Sequence, residues 1–145
     1  MITLIEIACS VSKEEAVRTT VEVFCKETGA LLIGRCLYEE TDEIQLIVQL
    51  PYATSVNKQA TFLSHALQQK DITSFQYVNY DLVKISFDPS VNLQEQMHNF
   101  PSRPGESWFP AIHDPHQAYV CMSRPLMLTE QAAWLLKHKV LWAFE

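Results

Sequence analysis

The chain has 145 residues, is 48% hydrophobic and 19% charged, and carries a formal net charge of −6. A chain of this size suits one domain and buries about two-thirds of its unfolded surface, so it needs neither disulfide nor metal to fold. The acid excess argues against direct nucleic-acid binding, which rests on Lys and Arg meeting phosphate, and apolar runs of only a few residues leave no membrane-spanning stretch.

The first residues, Met1–Ser10, lack a basic start and do not read as a signal peptide. ITLIEIAC (2–9) reads as a first strand. Ser12 and Glu15 have the spacing of a capping box, which predicts a helix from Ser12. Val17, Val21, Phe24 and Thr28 form its inner face, and Glu14–Arg18 and Glu22–Lys26 are i, i+4 pairs on the solvated one. Gly29 supplies its left-handed stop. The runs Ala30–Tyr38 and Ile44–Leu50 flank the polar loop Glu39–Glu43 and predict a hairpin, placed by its apolar content at the middle of a sheet. Pro51 ends its second strand. A second helix is expected from Thr54 or Ser55 to about Lys70, with Val56, Ala60, Leu63 and Leu67 inside. Phe75–Phe87 alternates at period two and predicts one long strand, or two short ones broken near Asn79–Asp81.

Strand, helix, strand, strand, helix, strand is the order of the ferredoxin-like split βαβ arrangement, an antiparallel sheet with two helices on one face. The expected fold class is therefore α+β: a single domain over 1–145, with a βαββαβ core over 1–88. A C-terminal loop–strand–helix addition follows. Five of the seven prolines fall between Asp88 and Gln117. Pro89 is placed to open a short helix, Ser90–His98, and 89–116 otherwise reads as a Pro- and aromatic-rich loop. Gln117–Ser123 predicts a strand, and Thr129 is expected to cap a last helix to about Phe144. No internal repeat is visible.

The candidate sites are weighed against plain structural roles. Residues 1–50 hold nine acids against four bases, and Glu39, Glu40, Asp42 and Glu43 crowd the hairpin loop. Such a cluster is either a solvated turn or a docking surface that steers a basic partner. It lacks the alternating oxygen ligands of a calcium loop. Arg103, Trp108 and Phe109 are residue types enriched at interface hot spots, against the alternative of a loop stapled to its own core. His113 and His116 have H-x-x-H spacing, and His98 or Cys121 could add ligands, but the spacing alone is common by chance. Cys9, Cys25, Cys36 and Cys121 sit in apolar segments without a C-x-x-C pair and read as buried thiols in a reducing cytoplasm. A Cys–His nucleophile would draw on Cys36 or Cys121 with His65, His98, His113 or His116, and Arg35 beside Cys36 could favour a thiolate. With three glycines, Gly29, Gly34 and Gly105, no phosphate-binding or dinucleotide motif can be written.

The sequence therefore points to a small acidic cytoplasmic interaction module, such as an inhibitor or immunity-type protein that binds a basic partner. No cofactor is implied, and enzymatic activity is not the favoured expectation. The alternatives are a small-molecule-binding regulatory domain, dimeric through face or edge pairing of its sheet, and a small enzyme using Cys and His in the 98–121 region.

Overall fold

Alternating apolar and polar residues fix the first strand, β1 (Ile2–Ser10), whose Ile5, Ile7 and Cys9 are fully buried. The computed structural model describes residues 2–51, 63, 65–67, 71–122 and 126–145. A 3-10 turn, Val11–Lys13, leads into helix α1 (Glu14–Thr28), which buries Val17, Val21 and Phe24. The expected capping box does not form. Ser12 lies inside the 3-10 turn with its Oγ 3.1 Å from Ser10 Oγ, and the N-cap position falls on Lys13, which makes no side-chain cap. Two acids in the first turn, Glu14 and Glu15, complement the helix dipole instead. Arg18 pairs with Glu22 at 3.1 Å rather than with Glu14, whose carboxylate goes to Arg35. Gly29, at φ 78°, ends the helix and returns its amide to Cys25 O.

Strands β2 (Leu31–Tyr38) and β3 (Glu43–Gln49) form the expected hairpin, with an irregular register between Leu32 and Gly34. The hairpin is not the middle of its sheet. β3 pairs antiparallel with β1, β4 (Ser74–Ser86) lies on the other side of β1, and among the described residues β2 is at the end of the strand order. Its apolar run was misleading for a physical reason: Leu32 faces inward opposite Val48, whereas Leu31, Leu37 and Tyr38 are 60%, 46% and 49% exposed. The expected helix 54–70 lies largely outside the described residues. Leu63 and Leu67 within it are buried and joined by an i, i+4 amide–carbonyl bond of 2.9 Å.

The chain divides into two compact units, Ile2–Asn79 and Tyr80–Glu145, with the boundary inside β4. In the second unit, α2 (Leu93–Met97) starts at Asn92, whose Oδ1 accepts the Glu95 amide at 3.1 Å. It is shorter than the Ser90–His98 span that Pro89 suggested. Next come β5 (Ser107–Pro110), β6 (Gln117–Met122), α3 (Thr129–Lys137) and β7 (Leu141–Phe144). The sheet runs β5-β6-β4-β7, with antiparallel pairs throughout. Val83, Ile85, Phe87, Met97, Val120, Met122 and Leu135 form its core.

Two sequence expectations change here. The 89–116 loop contains a helix and a strand, and the last helix does not run to Phe144. It stops at Lys137, Lys139 takes φ 53°, and the chain returns as β7 beside β4. The helix also begins from an N-cap at Leu128, not Thr129; Gln131 Oε1 accepts the Leu128 amide at 2.9 Å. The result is a mixed α+β chain with antiparallel sheet pairing. Among the described residues no helix is long and apolar enough to cross a membrane.

Candidate binding site at the acidic hairpin tip

The turn between β2 and β3 is held by its own backbone. The Thr41 amide donates to Tyr38 O at 3.3 Å, and the Val11 amide donates to Asp42 O at 3.0 Å, tying the tip to the 3-10 turn. Asp42 accepts a left-handed backbone, φ 54°, a conformation that Asp tolerates better than most residues. An open cavity of about 530 Å³ lies at this tip, lined by Leu37, Tyr38, Glu39, Glu40 and Thr41. Leu37 and Tyr38 keep about half their surface in solvent. The Tyr38 hydroxyl donates to Gln45 Oε1 at 3.0 Å, which fixes the ring. Desolvation, followed by the charges of Cys36 and Glu6, pushes the phenol pKa up, so it stays neutral.

Of the four acids singled out in the sequence, Glu39 and Glu40 line this cavity. Asp42 holds the turn, and Glu43 enters β3 opposite Ser10 and Tyr38. The apolar part, Leu37 and Tyr38, was missed. Their place next to the polar loop was the available signal, but an apolar run conceals which of its members are exposed.

The other candidates belong to the second unit. Arg103 is mostly buried and paired with Glu106, whose side chain is fully buried. Gln131, also fully buried, donates Nε2 to Glu106 Oε2 at 2.8 Å and to Pro101 O at 2.9 Å. Arg103 thus serves a buried polar network that no sequence pattern announced. Phe109 is 2% exposed and stacks on Tyr119 with ring centroids 5.3 Å apart. Trp108 pairs with Val120 across β5–β6 and packs against the core.

His116 is held by backbone contacts: its amide donates to Asp114 Oδ1 at 2.9 Å, and its carbonyl accepts the Phe87 amide at 2.8 Å. Neither His113 nor His116 falls in a group of three or more His, Cys, Asp or Glu able to hold a metal among the described residues. None of the four cysteines forms a disulfide. Burial pushes Cys25 and Cys36 up to about 11. Arg35 lowers the Cys36 value only in part against burial and Glu6, and its guanidinium is engaged by Glu14 at 2.5 and 3.1 Å.

No family model matches the chain, and no curated protein matches it. Two solved structures are similar over 99% of this chain and 96% of their own. One is a crystal structure provisionally titled a glycine cleavage system transcriptional repressor, with TM-score 0.36 and 12% identity. The other is an unknown protein from Galdieria sulphuraria, with TM-score 0.35 and 15% identity. Likenesses of this size carry no argument about function.

Proposed function

We propose that this chain is a protein-interaction module whose acidic hairpin tip binds a basic segment of a partner protein. The observation that carries the reading is the open cavity lined by Leu37, Tyr38, Glu39 and Glu40, in which Leu37 and Tyr38 keep about half their surface in solvent. Lys and Arg pair an apolar stem with a cationic head. A stem laid on Leu37 or Tyr38, whose side chains face opposite sides of the strand, with the head against a carboxylate, satisfies both parts. The surplus of acids in residues 1–50 extends the attraction beyond contact and speeds encounter. An inhibitor that covers a basic nucleic-acid-binding surface would use this chemistry. Four cysteines without a disulfide support a reducing, cytoplasmic setting.

We also read each unit as a ferredoxin-like βαββαβ fold. The strand orders β2-β3-β1-β4 and β5-β6-β4-β7 support it, since both place the third strand of a unit between its first and second.

The test is a fluorescence-anisotropy titration with labelled peptides in which Lys or Arg alternates with apolar residues. Micromolar binding that weakens as salt rises is expected, with a loss of about tenfold or more in a Glu39→Lys, Glu40→Lys variant. Unchanged affinity and salt dependence in that variant would remove the tip as the site.

A further inference from the structure

The second unit ends in a strand that is open on one side and uncharged. β7 pairs with β4 alone among the described residues, and all four of its residues are exposed. Leu141 is 76% exposed, Trp142 40% and Phe144 50%. An apolar edge of this kind is a template for another strand, and proteins ordinarily blunt it with charge or proline.

The hydrogen-bond pattern shows which groups face outward. The Glu145 amide donates to Leu82 O at 2.9 Å, so Leu82 and Glu145 form a bonded pair. Bonded and non-bonded pairs alternate in an antiparallel ladder. Ala143 and Leu141 therefore also turn their backbone groups toward β4, opposite Lys84 and Ser86. The outward N–H and C=O groups are those of Trp142 and Phe144.

We infer that β7 pairs antiparallel with β7 of a second copy of this chain, about a two-fold axis at Ala143. This register sets Trp142 of one copy opposite Phe144 of the other, twice over, and each such pair exchanges both of its outward amide–carbonyl bonds. A two-fold axis perpendicular to the sheet keeps equivalent side chains on the same face. Trp142 and Phe144 already share a face, with an edge contact at 6.1 Å and an interplanar angle of 82°. Doubling the strand joins these rings into one aromatic ladder, a cross-strand pairing that stabilises a sheet.

The charges fit the same register. No charge lies within 141–144; Lys137 and Lys139 precede the strand and Glu145 follows it. Antiparallel pairing brings Glu145 of one copy opposite Leu141 of the other, diagonal to that copy's Lys139. Glu145 also meets Lys84 of its own chain at 3.5 Å. Each end of the paired strands thus joins opposite charges.

The experiment is the dependence of mass on concentration, by sedimentation equilibrium, for the full chain and two variants. Phe144→Pro removes an outward amide while leaving the bonds to β4. Trp142→Lys places a charge on the edge. Wild type is expected to dimerise in the micromolar range, and each variant to raise the dissociation constant about tenfold or more. Far-UV circular dichroism checks the fold. If Phe144→Pro misfolds, Trp142→Lys decides. Amide exchange gives an independent readout: the Trp142 and Phe144 amides gain protection on concentrating the protein, whereas the Ala143 amide is protected throughout. A wild type that stays monomeric to about 100 µM overturns the proposal. So does a dimer indifferent to both substitutions, which would place its contact elsewhere.

Discussion

Replacing Gln131 with leucine tests whether the buried polar network holds the second unit together. Gln131 is fully buried and engaged at both ends of its amide. Its oxygen accepts the Leu128 amide at 2.9 Å, and its nitrogen donates to Pro101 O and Glu106 Oε2 at 2.9 and 2.8 Å. Leucine fills similar volume but offers no polar atom, so three groups lose their partner together. Two are backbone groups, each costing about 1 kcal/mol when orphaned; the third is a buried carboxylate, worth about 1.5 kcal/mol or more. Arg103 still holds Glu106, so the sum is about 3–4 kcal/mol rather than the cost of a bare charge. All three tryptophans, Trp108, Trp134 and Trp142, lie in Tyr80–Glu145, so their fluorescence reports this unit. With a urea slope of about 1 kcal/mol per molar, the midpoint falls by roughly 3 M. Gln131→Glu keeps the shape but sets a second carboxylate against Glu106. It should also lower the urea midpoint, since like charges then face each other in a buried site. A leucine variant whose midpoint moves by less than about 0.5 M would refute the assigned role.

Further expectations concern the first unit. The hydrogen bond from Arg35 holds the Glu14 carboxyl below its ordinary value of 4.5, against an opposing effect of burial. Its stabilisation is therefore present above pH 4.5 and lost as pH falls through the lower folded value. Glu14→Gln should cost about 1 kcal/mol at pH 7, discounted for the 36% exposure of Arg35, and flatten the acid limb of stability followed by circular dichroism. Cys25 and Cys36, up at about 11 from 9.0, should react with a disulfide reagent at pH 8 about 100-fold more slowly than an ordinary thiol, with the difference lost in urea. Equal native and denatured rates would contradict their burial. Gly29→Ala should lose about 1 kcal/mol through its φ of 78° alone, since nothing lies within 4 Å of an added Cβ. A neutral result in urea titration would show that the helix end relaxes freely.

Local cues were legible where local physics decides. The alternation in 2–9, the glycine after Thr28 and the apolar runs around Glu39–Glu43 each became the expected element. The capping box failed because the chain enters α1 through a 3-10 turn that places Ser12 before the N-cap. Strand β5 was hidden among prolines, but it is an outer strand ending at Pro110, where proline is tolerated. Strand β7 was read as helix because Val140, Trp142 and Phe144 extend an apolar surface compatible with either form. Only the left-handed Lys139 separates them, and lysine gives no warning of that conformation. For the site, the acids were visible as a cluster. The cavity and the exposure of Leu37 and Tyr38 were not, because both depend on β2 being an outer strand of its sheet.

The two outer strands are treated differently, and this separates their partners. The tip of β2 carries Glu39 and Glu40 beside its exposed apolar residues. Two such tips from copies of one chain would repel, and carboxylates beside an outer strand discourage strand addition. That surface therefore favours a basic partner of different sequence. On β7 nothing charged intervenes between Lys139 and Glu145, and reversing the strand matches aromatic to aromatic and base to acid. A self-complementary edge needs no second sequence. The two contacts also differ in their response to salt: the β2 tip should weaken as charge is screened, while the apolar β7 pair should change little.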